Sequence, residues 1–495
     1  MIEIDTFTLR YHKSRITAIH DTKITVPNTA VNGVFSTQQS SLMKITLHTL
    51  FSGDANGVLI QWNLITRRPI NTWKVSDSSI ISIGTLSLYP NCEYIVDYDK
   101  QYEPLIKEQN ELSSLILYVQ SKNHTLKFYQ VNNMVNNVNG NNNSEKQNGF
   151  LWEMPINTLN FSNLIVYENR IGVRTKSDRA PYIIWCCNTQ NSENIDIYEI
   201  NPFTKHLERI YESINFNCTH PLTQRTDDTN RNNRGVVMRL EYCSDINSVV
   251  IGYEDGSCIL VDCTFIKNYK IHDTNIDRLN ALTYKDIFNK DMILSDDFKS
   301  EPVLSIHYDF EDHRIMIGKA KDRFIYKYDL VSNKITKYSM GTRSKEYSVA
   351  NVFSINQNLL CYNTWESNSL FICKIIGDNN MINNTDNIID VSQLKVLRRL
   401  GKMKSNVSII PLDSIHNFND ENIDNGNSRL KTKRNNYVKI GAVCVLSQAN
   451  HIFSDNEKQK NISLLRYKKE KYLMENTWII LGYEDGTISV NKLTY

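Results

Sequence analysis

The chain has 495 residues, of which 22% are charged, and its formal net charge is +2 at pH 7. Because charges of both signs are dispersed along the chain, we expect no direct binding to nucleic acid and none to a membrane. No run approaches the roughly 18 apolar residues of a membrane span, and the acidic start Met1–Asp5 lacks the apolar core of a secretory signal.

The N-terminal region predicts two strands. Phe7-Thr8-Leu9-Arg10 alternates apolar and polar residues like an outer strand, and Ile16–Ile19 follows as a first inner strand. His12 lies between them, where an imidazole can join strands by hydrogen bonds. We expect a structural role for His12 and no catalytic one.

The pentapeptide Gly-Tyr-Glu-Asp-Gly occurs twice, at Gly252–Gly256 and at Gly482–Gly486, each time between two apolar segments. Glycine supplies the positive φ of a tight turn and aspartate its local hydrogen bonds, so each copy predicts a β-hairpin. The pattern assigns structural roles to Gly252, Asp255, Gly256, Gly482, Asp485 and Gly486.

Further copies of this hairpin lie elsewhere in the chain. The best runs from Phe51 to Leu64. Weaker copies keep the apolar alternation and lose glycines: Leu115–Val131, Tyr182–Ile200, His313–Leu330 and Leu359–Ile375. Seven hairpins in one register indicate an internal repeat. The structural positions of these copies are Gly53, Gly57, Trp62 and Asp329.

The end of each hairpin identifies the repeat. In WD40 blades of roughly 40–45 residues, a Trp-Asp pair ends the third strand. Trp62-Asn63, Val261-Asp262 and Tyr328-Asp329 are decayed forms of that pair. The sequence therefore predicts an all-β fold, a seven-bladed WD40-type β-propeller. The chain stops after the third strand of the last blade, so we expect the N-terminal strand to close that blade.

Long intervals between the turns predict insertions within a single propeller domain over residues 1–495. They are 131–149, 218–235, 264–300, 377–436 and 450–474, interpreted as loops or short helices. We expect a short helix around Leu279–Phe288 and, within 377–436, an amphipathic helix at Val391, Leu394, Leu397 and Leu400. The insertion 377–436 also has room for a degenerate eighth blade. In 450–474, the run Arg466–Lys471 is interpreted as a solvated charged face. The basic cluster Arg429–Arg434 is a candidate nuclear import signal.

The chain contains no phosphate-binding glycine loop and no His-Glu-x-x-His helix, and the ten cysteines lack metal-ligand spacing. We therefore expect a non-enzymatic protein without cofactors, in a reducing compartment. An enzyme whose active site is assembled from distant propeller loops remains an alternative.

One stretch is more specific than the repeat. The residues from Leu50 to Pro69, ending Gln-Trp-Asn-Leu-Ile-Thr-Arg-Arg-Pro, resemble the first blade of the fungal ASTRA-associated protein 1 family. Phe7–Arg10 and the C-terminal Gly-Tyr-Glu-Asp-Gly ending are similar to that family as well. Animal relatives are the guanine-nucleotide-binding-protein β-subunit-like proteins. The strong matches cover the first 90 and last 20 residues, approximately.

The resemblance implies a nuclear scaffold subunit of the ASTRA complex, linked to chromatin remodelling and to the Triple-T co-chaperone. That co-chaperone matures phosphatidylinositol-3-kinase-related kinases. The implied partners are ASTRA and Triple-T subunits, a pair of AAA+ helicases and a large kinase-related subunit. The chain is expected in the nucleus, with a cytoplasmic pool left open.

A candidate partner-binding site follows the first blade's third strand. Two exposed guanidinium groups, Arg67 and Arg68, beside Trp73 suit an acidic, partly apolar partner surface. Alternatively, the arginines bond within the blade and Trp73 packs on the outer strand.

An alternative function is a WD40 substrate receptor or Gβ-like adaptor of another assembly.

Overall fold

The computed structural model describes most of the predicted strands. The residues described are 6–27, 44–87, 115–131, 149–159, 162–169, 182–202, 205–216, 234–268, 282–288, 301–341, 346–376, 390–403, 437–446 and 464–493. The basic cluster 429–434 and nearly all of 131–149 and 218–235 lie outside them.

Most strands belong to antiparallel sheets of four strands. Sheet 1 contains β2 (Ile16–Pro27), β3 (Lys44–Asp54), β4 (Val58–Asn63) and β5 (Arg68–Lys74). Sheet 2 contains β6 (Ile80–Ser87), β7 (Leu115–Ser121), β8 (Thr125–Val131) and β9 (Phe150–Pro155). Sheet 3 contains β10 (Ile165–Glu168), β11 (Tyr182–Cys187), β12 (Ile195–Asn201) and β13 (His206–Ile214). Sheet 4 contains β14 (Val237–Cys243), β15 (Ser248–Tyr253), β16 (Cys258–Asp262) and β17 (Thr283–Phe288).

The next eight strands form one larger sheet, here called the double sheet. Its first half contains β18 (Val303–Asp309), β19 (Arg314–Lys319), β20 (Phe324–Asp329) and β21 (Lys334–Ser339). Its second half contains β22 (Val349–Asn356), β23 (Leu359–Thr364), β24 (Leu370–Ile376) and β25 (Asp390–Leu400). Each half is an antiparallel meander, and a short parallel pairing of Thr336–Ser339 with Asp390–Gln393 joins them. The described residues thus form five four-stranded sheets and this double sheet, instead of seven separate sheets.

The last sheet, here called the closing sheet, joins the two ends of the chain. It contains β26 (Ile440–Leu446), β27 (Thr477–Tyr483), β28 (Thr487–Leu493) and, as its outer strand, β1 (Thr6–Arg10). β1 pairs antiparallel with β28, with Phe7 opposite Val490. The prediction that the N-terminal strand completes the last sheet is confirmed.

All seven predicted hairpins are confirmed as the second and third strands of a four-strand unit. Several second strands are buried along their whole length, among them Tyr182–Cys187, Ser248–Tyr253 and Thr477–Tyr483. Such a strand is covered on both faces, which explains the near-continuous apolar runs in the sequence.

The buried apolar residues in the described part of the chain form seven hydrophobic clusters, each shared by two successive four-strand units. One cluster brings Trp62 of sheet 1 against Trp478 and Ile480 of the closing sheet. Another brings Ile372 of the double sheet against Ile479 of the closing sheet. Because every unit packs against the next and the last packs against the first, the units form a ring with a propeller-like arrangement.

Two predicted helices are strands instead. Asp390–Leu400 forms β25, opposite β24. A register shift there leaves Leu397 without an opposite residue and reverses the alternation of the strand. Leu394 therefore packs toward the first half of the double sheet, whereas Leu400 packs toward the closing sheet. In the segment 279–288, Thr283–Phe288 is the outer strand β17. A 3-10 helix, Cys263–Asn268, precedes it.

Within the segment 450–474, the described residues Leu464–Met474 form an α-helix, here called α1. The sequence allowed a loop or a short helix at this place. Leu473 and Met474 are buried at the end of α1, directly before β27. This apolar end attaches α1 to the closing sheet, whereas Lys468, Lys469 and Lys471 are exposed.

Candidate protein-binding surface

A buried hydrogen-bond network fixes the first sheet beside the junction of the chain ends. Ser52 Oγ lies 2.7 Å from His12 Nε2 and accepts a hydrogen bond from Trp62 Nε1 at 2.7 Å. His12 Nδ1 lies 3.0 Å from Asp54 Oδ2. The four side chains are at most 8% exposed. The role predicted for His12, bridging strands, is confirmed.

The Asp54 carboxylate also closes the turn of its hairpin. Its Oδ1 accepts the backbone N–H groups of Asn56 and Val58, each at 2.9 Å. Burial alone would raise the pKa of Asp54, but the hydrogen bonds from His12, Val58 and Asn56 outweigh burial and lower it. The charged form is therefore stabilised in the folded ring.

In sheet 1 and in the first half of the double sheet, the residue that ends the third strand caps the following turn. Asn63 Oδ1 accepts the N–H groups of Ile65 and Thr66 at 3.0 and 2.9 Å. Asp329 Oδ1 does the same for Val331 and Ser332 at 3.1 and 2.8 Å. These side chains occupy the place of the aspartate in the Trp-Asp pair, and turn capping explains why Asn and Asp serve equally there.

The Glu-Asp-Gly turns are explained by the same chemistry. Asp255 Oδ1 accepts the Ser257 N–H at 2.9 Å, and Asp485 Oδ1 accepts the Thr487 N–H at 3.1 Å. The glycine that follows each aspartate has a positive φ: Gly256 (85°), Gly486 (78°) and, in the first hairpin, Gly57 (75°).

The second-strand glycines allow neighbouring sheets to approach closely. A Cβ atom on Gly482 would lie 2.4 Å from the side chain of Ile16 in the next sheet. On Gly252 it would meet Val303 at 2.7 Å, and on Gly53 it would meet Ile80 at 2.8 Å. These glycines are required because the inner strand of the next sheet packs directly on them.

Arg67 and Arg68 lie in and after the turn between β4 and β5, and both are exposed. Arg67 has a φ of 58°, and its N–H donates to the Asn63 carbonyl at 2.8 Å. Its guanidinium carbon lies 4.4 Å from the centre of the Phe7 ring on β1. The capped turn and this cation–π contact hold Arg67 at the junction of sheet 1 and the closing sheet.

Trp73 lies at the opposite end of β5 from Arg68. It faces Leu59, whereas Arg68 faces Asn63. Trp73 is half-buried and packs against the cluster that includes Phe51 and Leu59, between sheets 1 and 2. The structure therefore does not bring Trp73 together with the arginines.

Arg67 instead borders a cleft that the sequence did not predict, here called the α1 cleft. The cleft has a volume of about 160 Å³ and lies between β1, the turn after β4 and helix α1. Its lining residues are Thr6, Phe7, Leu64, Ile65, Arg67, Lys469, Tyr472, Leu473 and Trp478. The cleft is thus built from the two ends of the chain and the first sheet.

Aromatic rings and cations alternate around the α1 cleft. The Trp478 ring lies 5.6 Å from that of Tyr472 and 6.1 Å from that of Phe7, centre to centre. Lys492 Nζ lies 4.2 Å from the centre of the Tyr472 ring. With Arg67 over Phe7, two cation–π pairs flank the opening.

The sequence does not predict the α1 cleft, because the run Arg466–Lys471 on its own indicates a solvated charged face. The signal for the cleft is the apolar pair Leu473-Met474, which follows the lysines, ends α1 and is buried. Charge alone, without that apolar end, does not predict a helix that packs.

In the described part of the chain, no group of three or more His, Cys, Asp or Glu side chains could hold a metal ion. No helix in the same residues is long and apolar enough to cross a membrane. The eight described cysteines are free thiols, and seven of them are buried.

The comparisons with known proteins agree with the resemblance. The family profile of ASTRA-associated protein 1 matches residues 5–491. ASTRA-associated protein 1 of Saccharomyces cerevisiae (strain JAY291) is 24% identical over 518 aligned residues, which cover 99% of this chain and 97% of that protein. The Zygosaccharomyces rouxii protein of the same name is 24% identical over 511 residues, with 99% of each chain covered.

Among solved structures, Saccharomyces cerevisiae Sqt1 aligns with a TM-score of 0.43 at 10% identity, covering 99% of this chain and 98% of that one. This likeness carries no weight in the assignment. The family profile spans nearly the whole chain, from the strand that closes the ring to the last hairpin. The chain therefore belongs to the ASTRA-associated protein 1 family.

Proposed function

We propose that the chain is a non-catalytic WD-repeat scaffold subunit of the ASTRA complex. The observation that carries this proposal is the match of the ASTRA-associated protein 1 profile to residues 5–491. The propeller-like ring supports it, because a rigid ring presents turns and loops on two faces and can hold several proteins at once.

We further propose that the ring has seven blades, with each half of the double sheet counted as one blade. Each half has the same four-strand meander as the other sheets. A hydrophobic cluster also separates the two halves, with Met316 and Ile325 of the first packed against Val352 and Leu360 of the second. The short parallel pairing joins only their outer strands.

The finer parts of the role come from the family resemblance. In this proposal the chain acts in the nucleus, and ASTRA links it to chromatin remodelling and to maturation of phosphatidylinositol-3-kinase-related kinases. Its partners are ASTRA and Triple-T subunits, the AAA+ helicase pair and the large kinase-related subunit. A single propeller domain over residues 1–495 remains the expected organisation.

Affinity purification of the tagged full-length chain from nuclear extract at moderate salt tests this role. We expect mass spectrometry to recover the ASTRA and Triple-T subunits, and a tag-only preparation to recover none. Recovery of cullin adaptors would support the substrate-receptor alternative. A chain that runs as a free monomer in the extract contradicts the scaffold proposal.

A further inference from the structure

We propose that the α1 cleft binds a short acidic segment of a partner protein, with one aromatic or long aliphatic residue as its anchor. This inference rests on the proposed scaffold function and names the class of partner segment for one of its surfaces.

The floor of the cleft is apolar and continuous with the core. Leu64, Leu473 and Trp478 are at most 8% exposed, and all three belong to the cluster between sheet 1 and the closing sheet. The volume of about 160 Å³ is similar to that of an engineered protein cavity of about 150 Å³ that binds benzene, so the cleft has room for one large side chain. The cleft therefore fits an anchor residue and not a whole helix.

The charged side chains among the described lining residues are cationic. Arg67 and Lys469 line it, Lys492 stands beside it over Tyr472, and Arg68 follows Arg67 in the chain. None of the described side chains that line it is acidic. At the end of α1, Glu475 is paired with Lys471 at 3.5 Å. Charge complementarity therefore calls for an acidic segment.

The rim is held in place before any partner binds. The Asn63 cap fixes the turn that carries Arg67, and the Phe7 ring supports its guanidinium. An arginine that stacks on a ring keeps the edge of its planar fork for bidentate hydrogen bonds to a carboxylate. Preorganisation reduces the entropy lost on binding, so a short segment is sufficient.

Fluorescence anisotropy with three labelled peptides tests this site on the full chain. The first probe is Asp-Glu-Asp-Phe-Asp-Glu, the second replaces Phe by Ser, and the third replaces every acidic residue by Lys. We expect the first probe to bind with a Kd of at most about 1 mM. The second probe should bind at least about tenfold more weakly, and the third should not bind. Added salt should weaken the binding of the first probe, since exposed charges are screened.

A matched pair of variants locates the binding. The double variant Arg67→Glu with Arg68→Glu should bind the first probe at least about tenfold more weakly than the wild-type chain. The control, Lys374→Glu with Lys395→Glu, makes the same change of charge at two exposed residues that face each other on β24 and β25. We expect the control to bind like the wild-type chain. Leu64→Phe, which fills the floor, should remove the difference between the Phe and Ser probes.

Other results overturn the proposal. Equal losses in both variants would mean nonspecific charge attraction. If the wild-type chain binds no probe but a chain lacking residues 1–5 does, the occupant is the chain's own acidic N-terminus, which directly precedes Thr6. Preferential binding of single-stranded RNA over the acidic probe would indicate a nucleic-acid site. The peptide assay uses the purified chain alone, so it tests the cleft independently of the purification from extract. Failure of the cleft proposal can therefore be distinguished from failure of the proposed scaffold function.

Discussion

His12 and Asp54 lie 42 positions apart in the chain, and their side chains meet at 3.0 Å from Nδ1 to Oδ2 in a buried site. Ser52 and Trp62 complete this network. The contact ties the segment after the closing strand β1 to the first hairpin, so it connects the junction of the ring to the turn of sheet 1.

Asp54→Asn should reduce the free energy of unfolding by about 1–3 kcal/mol, because a buried polar contact loses its charge. The folded state lowers the pKa of Asp54, so its contribution is present above the unfolded pKa and is lost as the pH falls through the folded pKa. Urea unfolding of the wild-type chain from pH 6 to pH 3 should show this loss, and Asp54→Asn should show less of it. Asp77→Asn is the control, since Asp77 is fully exposed. Equal acid sensitivity of the wild type and Asp54→Asn would contradict the assignment.

Ser52→Ala should destabilise the ring by about 1–3 kcal/mol, because it leaves the Trp62 indole N–H and His12 Nε2 without their buried partner. Trp62→Phe removes the indole donor and keeps an aromatic ring. The double variant should cost less than the sum of the single variants, since the two side chains share one hydrogen bond. A double-mutant cycle by urea unfolding measures this coupling, and strict additivity would show that the bond is energetically unimportant.

Gly486→Ala should destabilise more than Gly341→Ala. Both glycines have a positive φ, at 78° and 116°, so both substitutions meet backbone strain. A Cβ atom on Gly486 would also lie 2.6 Å from the His12 carbonyl oxygen, whereas nothing lies within 4 Å of one on Gly341. We expect about 1 kcal/mol for Gly341→Ala and a larger loss for Gly486→Ala, compared by thermal unfolding. Equal losses would mean that the neighbouring backbone moves freely.

Removal of residues 1–10 should open the closing sheet and promote aggregation. It deletes β1 and leaves β28 as an unprotected edge, which is a template for pairing with other chains. Size-exclusion chromatography with light scattering measures the outcome. Removal of residues 1–5 alone is the control, because it leaves β1 intact, and it should preserve a monodisperse chain.

The native thiols should react slowly. Burial raises the pKa of Cys187 to about 11 and that of Cys263 and Cys373 to about 12, which disfavours the reactive thiolate. A thiol reagent at pH 8 should modify at most three of the ten cysteines rapidly in the folded chain and all ten in urea. Fast modification of more than three in native buffer would contradict the burial of seven of the eight described thiols.

The hairpins were predictable because each carries local signals. The turn glycines, the capping carboxylates and the apolar second strands are all visible in the sequence. β25 was not predictable, because leucines at three-residue spacing indicate a helix, whereas the strand depends on pairing with β24 and β21 and on a bulge at Leu397. Half of the candidate site could be predicted, because that half also carries local sequence signals. The Arg67 turn is local, whereas its neighbours Phe7, Tyr472 and Trp478 come from both ends of the chain.

The pairing of β1 with β28 also sets the order of biosynthesis. The ribosome releases β1 before its partner strand β28, and synthesis of the roughly 480 residues between them takes about 24–96 s at about 5–20 residues per second. Until then β1 has no strand beside it and the α1 cleft has only part of its wall. A protein that binds the finished cleft therefore distinguishes complete chains from nascent or truncated ones, so assembly with that partner would serve as an inspection step for the ring.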